Sequence, residues 1–214
     1  MIYNYKKFLS FLLFAMVIST GVIGCGESKK EVDPPYTADQ QSQIPPTEYI
    51  TFSSLEHFLH TLRTIRTHGF ASEAAEHLDL GSLDELYMPT GIPEEYKIIS
   101  VMVDDVNVGF TYLHDDDLIS ENARWSAMGN RKHFGFTFSR DEDENAIASF
   151  IENFGYSEDD LIDGRYLLVN SNGLLWSYEG RFMQMHIPVQ LANSERDDLT
   201  KYMAIDIFDI DDLG

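Results

Sequence analysis

The 214-residue chain holds one cysteine, Cys25, and only 15 lysines and arginines. A single thiol cannot close a disulfide within the chain. Nor can any residue after Cys25 serve as a cysteine nucleophile or thiolate ligand. The fold must therefore be held by its apolar core, and a composition 43% hydrophobic and 13% aromatic can supply one. Against the few cations stand 36 acidic residues, for a formal net charge of −21. Nucleic-acid binding needs a basic footprint, and so does an electrostatic grip on anionic lipid headgroups. The balance argues against both. The chain also lacks a Gly-x-Ser-x-Gly elbow, an H-E-x-x-H pair, a P-loop and a dinucleotide-binding glycine run. Catalytic triads assemble from distant positions, so these absences weaken the expectation of an enzyme without removing it.

What is present begins with a leader. Lys6 and Lys7 precede a nearly uncharged apolar run from Phe8 to Gly24, and no acidic residue appears before Glu27. That order fits an export signal, and the run is short for a spanning helix, which needs about 20 apolar residues. The segment Val22-Ile23-Gly24-Cys25 resembles the lipobox of bacterial lipoproteins. The resemblance implies lipidation of the Cys25 thiol and cleavage between Gly24 and Cys25. An anchor of two or three acyl chains holds stably, whereas one chain binds marginally. The expected organisation is a lipoprotein signal peptide over 1–24, a flexible tether over 25–50 and one globular domain over 51–214. The expected location is the extracytoplasmic face of the cell membrane.

The tether holds four of the seven prolines, in the pairs Pro34-Pro35 and Pro45-Pro46, and almost no apolar residues until Ile50. Its composition predicts an extended, solvated linker. From Cys25 onward the chain has 13 basic and 36 acidic residues, a net charge of −23. Such a surface suits a basic protein partner. It also simply keeps a tethered domain soluble.

The domain opens with a helix. Ser53-Ser54-Leu55-Glu56 fits a capping box, Leu55, Phe58, Leu59, Leu62 and Ile65 recur at helical spacing, and Gly69 stands at the stop. A second short helix fits Ser72–Leu78, and Pro89 and Pro93 then break the chain. Strands near 96–103 and 106–114 form a hairpin. A two-residue turn at Asp104-Asp105 would set Val103 opposite Val106, Val101 opposite Val108 and Ile99 opposite Phe110, all on one face. A four-residue turn keeps the same parity, so turn length stays open. A second hairpin at Glu179-Gly180 pairs Trp176 with Met183 and Leu174 with Met185. Strands are also expected over His133–Arg140 and Arg165–Val169. Ile147, Phe150, Ile151 and Phe154 fit a helix ending at Gly155, and equally a strand. A helix over 195–204 leads into a strand at Ile205–Ile210. The sum is an α+β fold: an antiparallel sheet of about six strands with two or three helices packed on one face.

The run from Tyr87 through Pro89, Gly91 and Pro93 to Lys97, and Leu175-Trp176 before a strand ending at Pro188, are similar to an uncharacterised domain of Gram-positive extracytoplasmic proteins. Some members of that group sit on anti-sigma-type membrane regulators. The resemblance implies location and fold, and it carries no catalytic residues.

Candidate sites are few. Asp141, Asp143, Asn145 and Glu152 match oxygen-ligand positions one, three, five and twelve of a calcium loop. Ala146 occupies position six, where glycine makes the sharp turn, and the acidic run equally fits a helix start with Ser139 and Glu142 as a capping box. His57, His60 and His68 share one side of the first helix, but His60 and His68 lie about 12 Å apart along its axis, too far for one ion. Phe110, Tyr112, Phe136, Trp176 and Tyr178 either line a groove or fill the core beneath the helices. No cofactor and no metal is expected. The functional expectation is a non-enzymatic, membrane-tethered binding or sensing module for a protein partner, such as an immunity-type lipoprotein facing a basic exported toxin. The competing classes are a cell-envelope hydrolase or cation-dependent enzyme and a solute-binding lipoprotein.

Overall fold

In the computed structural model, the described residues are 49–70, 72–118, 132–210 and 212. The leader, Cys25 and nearly all of the tether lie outside them. In chain order the elements are β1 (Tyr49–Phe52), α1 (Leu55–His68), α2 (Glu73–His77), β2 (Glu85–Pro89), β3 (Tyr96–Asp104), β4 (Asn107–His114), β5 (Phe134–Ser139), α3 (Ala146–Phe154), β6 (Tyr166–Val169), β7 (Gly173–Tyr178), β8 (Arg181–His186), α4 (Val189–Ser194) and β9 (Ile205–Asp209). Seven strands form one antiparallel sheet in the order β1-β3-β4-β5-β8-β7-β6, and β2 pairs with β9 in a separate antiparallel ribbon. The fold is α+β. Its first strand starts two residues ahead of the expected boundary at 51.

The main core lies on one face of the sheet. Helix α1 buries Phe58, Leu59, Leu62 and Ile65 there, against Val101, Val103, Val108 and Phe110. The ribbon covers the same face through Leu86, Tyr87 and Ile205, and Leu199 and Tyr202 from the C-terminal segment complete the layer. The N-cap of α1 is Ser54, one residue after the first serine of the expected capping box: its hydroxyl accepts from His57 N at 3.1 Å. Gly69, at φ 84°, closes the helix by donating to Ile65 O.

The β3–β4 hairpin takes the wider turn. Val103 faces Val108 and Val101 faces Phe110, so four residues, Asp104 to Asn107, form the link. The cause is Asp104, whose buried carboxyl accepts from the backbone N–H groups of Val106 and Asn107 at 2.8 and 2.7 Å. The register also shifts between Ile98 and Ser100. That irregularity puts Ile99 on the opposite face, in a small cluster with Leu113, rather than with Val101 and Val103 as alternation predicts. The β7–β8 hairpin has the expected register, Trp176 facing Met183 and Leu174 facing Met185. Glu179 and Gly180 both take positive φ, 49° and 73°, which matches a two-residue primed turn.

Residues 146–154 resolve as helix, ended by Gly155 at φ 70°. This helix corrects the expectation that all helices share one face. Phe150 and Ile151 pack on Leu167, Leu175 and Phe182, the side chains that alternate away from the main core. Strands β6 to β8 are apolar on both faces, so both faces need cover. The C-terminal helix expected over 195–204 is instead α4 followed by a 3-10 run, Arg196–Met203. Strand β2 was hidden behind Pro89, which stands at the strand's last position, where it interrupts little.

Candidate functional site

The β3–β4 turn, the end of β5 and the β7–β8 turn meet at one end of the sheet. Two arginines organise this end. Arg140, following β5, donates to the main-chain carbonyls of Leu78 (2.5 Å), Asp79 (2.8 Å) and Asp104 (3.1 Å). Arg181, opening β8, donates to the carbonyls of Ser139 and Arg140, and its guanidinium lies 5.1 Å over the Tyr87 ring. Ser139 Oγ in turn accepts from Phe182 N at 2.9 Å. Burial lowers the pKa of Arg140 from its ordinary value, with Asp79, Asp141, Asp104 and Asp105 opposing that shift.

Carboxylates surround these arginines. Asp79, Glu85, Asp105, Asp141, Glu142, Asp143, Glu144 and Glu179 are all exposed. Glu142 lies 3.9 Å from Arg181, and the Tyr87 hydroxyl donates to Glu85 at 3.1 Å. The Asp141–Glu144 segment folds over the hairpin tip, with Asp143 N donating to Gly180 O at 2.6 Å. Eight exposed carboxylates against two arginines leave the outward-facing surface here strongly negative. A rim of this charge raises the local concentration of cations.

The calcium candidates are not brought together. Asp143 Oδ1 accepts from Asn145 N at 3.0 Å, and α3 starts immediately afterwards. Glu152 stands seven positions beyond Asn145 along the helix, about 10 Å on the axis at 1.5 Å per residue. A calcium loop cannot close across a rigid helix. Ser139 donates to Asp141 O instead of capping a helix, and Asn145 stands at the N-cap without a side-chain bond. His57, His60 and His68 are each exposed on α1, with His57 against the Phe52 ring. Among the described residues, no three His, Cys, Asp or Glu side chains group as a metal site.

The aromatics fill the core. Phe110, Tyr112, Phe136 and Trp176 are buried in the main cluster, and Tyr178 packs at its margin, 6.5 Å from Tyr87. At the opposite end of the sheet His133 and His186 stack with ring centres 5.3 Å apart, and Asn172 Nδ2 donates to Ile187 O at 2.8 Å. This pair carried no sequence signal, because His133 stands just before β5 and His186 ends β8, far apart in the chain. The half-buried arginines left no signal either, since main-chain carbonyls accept most of their bonds. No protein-family model matches the chain, and no curated protein or solved structure matches it.

Proposed function

We propose that this chain is a lipid-anchored, extracytoplasmic, non-enzymatic binding module whose partner is a basic protein. One observation carries the reading: eight exposed carboxylates ring one end of the sheet, against two arginines that donate mainly to backbone carbonyls. Opposite charge across an interface speeds association and selects partners more than it adds affinity. The burial of Phe110, Phe136 and Trp176 in the core weighs against solute capture, which needs apolar side chains facing a cavity. Lipidation at Cys25 would hold the domain at the membrane, and the proline-rich segment after it would supply reach.

A photo-crosslinking amino acid at Ser177, exposed beside the acidic rim, tests the reading in the full chain expressed in a bacterial host. The expected product is an adduct with a basic exported protein, its yield falling several-fold as salt rises from about 50 to 500 mM. Adducts that are insensitive to salt, or dominated by acidic proteins, would overturn it.

A further inference from the structure

Resting on the binding function proposed above, we infer that the partner docks on α3 and the loop that follows it, and that this surface takes a cationic amphipathic segment. Between Arg140 and Arg165 the chain holds nine Asp and Glu residues and no Lys or Arg. The same stretch carries Phe154, 40% exposed, and Ile162, 37% exposed. Phe154 stacks on Phe150 at 4.6 Å, so the exposed ring rides on a helix already fixed to the sheet. Ile147, Tyr156 and Leu161 are half-buried around the same cluster. Phe154, Ile147, Tyr156 and Leu161 all border the Phe150 cluster, and a contiguous apolar patch rimmed by polar groups marks an interaction site. Here they are set among carboxylates.

Charge selects the occupant. A second copy would bring carboxylates against carboxylates, which costs free energy. An anionic bilayer surface would repel the same face. A segment with apolar anchors flanked by lysines or arginines satisfies both the apolar patch and its rim, in the manner of a helix laid against a hydrophobic surface.

The probe is a labelled peptide of about 18 residues, with leucine and lysine at amphipathic helical spacing, and a twin in which glutamate replaces lysine. Fluorescence anisotropy with the full chain reads the binding. Binding of the lysine peptide that weakens with salt is expected, with the glutamate twin silent. Phe154→Ser with Ile162→Ser is expected to raise Kd about tenfold. Glu152→Gln with Asp159→Asn, which leaves the apolar patch intact, is expected to weaken binding a few-fold and flatten the salt dependence. Tyr49→Ser removes a still more exposed ring on the far edge strand and should change Kd by less than about twofold. Equal loss in the Tyr49 variant, or none in the Phe154/Ile162 variant with its melting curve intact, overturns this docking surface. Should binding fall instead when Glu85 and Asp105 are neutralised, the binding function stands and the surface assigned here is wrong.

Discussion

The guanidinium of Arg181 donates to the main-chain carbonyl of Arg140, whose own guanidinium donates to the carbonyls of Leu78 and Asp79. This two-arginine relay ties the β7–β8 hairpin, the end of β5 and the turn after α2 into one unit. Its acceptors at Leu78 and Asp104 belong to buried residues. Arg140→Met keeps the apolar stem but strands those carbonyls. A loss of about 2–4 kcal/mol in urea unfolding is expected, because a charged hydrogen-bond donor is removed while its acceptors stay inside. Arg140→Lys should recover only part of it, since one ammonium cannot reach carbonyls on three sides.

Gly91 occupies a close approach between two parts of the C-terminal layer. A Cβ at that position would lie 2.1 Å from Lys201 O. Backbone cannot retreat as a flexible side chain can, and the preceding residue is held nearby, Thr90 N donating to Ala204 O at 2.9 Å. Gly91→Ala is expected to cost roughly 1–3 kcal/mol and to lower Tm by several degrees. An unchanged melting temperature would contradict this contact.

Asp104 gives the domain a pH-dependent weakness. Burial pushes its carboxyl up to about 6 from an ordinary 3.8, against the opposing bonds from Val106, Asn107 and the Asn107 side chain. A raised carboxyl contributes stability that is complete below the unfolded value and lost as pH rises through the folded one. Between pH 4 and pH 7 the loss amounts to roughly 2 kcal/mol. Asp104→Asn keeps Oδ1 for the two backbone donors, and its new N–H group can meet Asn107 Oδ1, which is buried without a partner. The variant should therefore be the more stable protein at pH 7, by about 1–3 kcal/mol, with the gap closing toward pH 4. Urea unfolding at both pH values checks the sign, and a gap independent of pH would refute it.

Calcium should leave the protein unmoved. Asp143 is engaged by Asn145 N, and Glu152 lies two helical turns beyond the acidic run. A bound ion would stabilise the native state by mass action. The expected result is the same Tm with 2 mM calcium as with chelator, and a rise of several degrees would restore the Asp141 loop as a site.

The particular residues explain what could be read in advance. Trp176 and Met183 were placed opposite one another because strand alternation and the Glu179-Gly180 turn demand the same register. The valine opposite Val103 stays open in the sequence because turns of two and four residues share parity, and the buried Asp104 carboxyl that chooses Val108 is a tertiary fact. Ile99 is apolar on either face, so its alternation conceals the irregularity that reverses it. Strand β2 finds its partner β9 only at the far end of the described chain, and such pairing has no local signature. The acidic rim was obscured by abundance: with 36 acids, position alone separates a surface from a background.

The proposed lipidation of Cys25 would decide whether the acidic rim meets exported partners at all. Metabolic labelling with an alkynyl palmitate, followed by click detection on the purified full chain, reads it directly. Label on the wild-type protein and none on Cys25→Ser is the expected result, with the chain cut by protease added outside intact cells. Equal labelling of both proteins, or an unlabelled chain in the cytosol with its leader attached, would contradict the whole account.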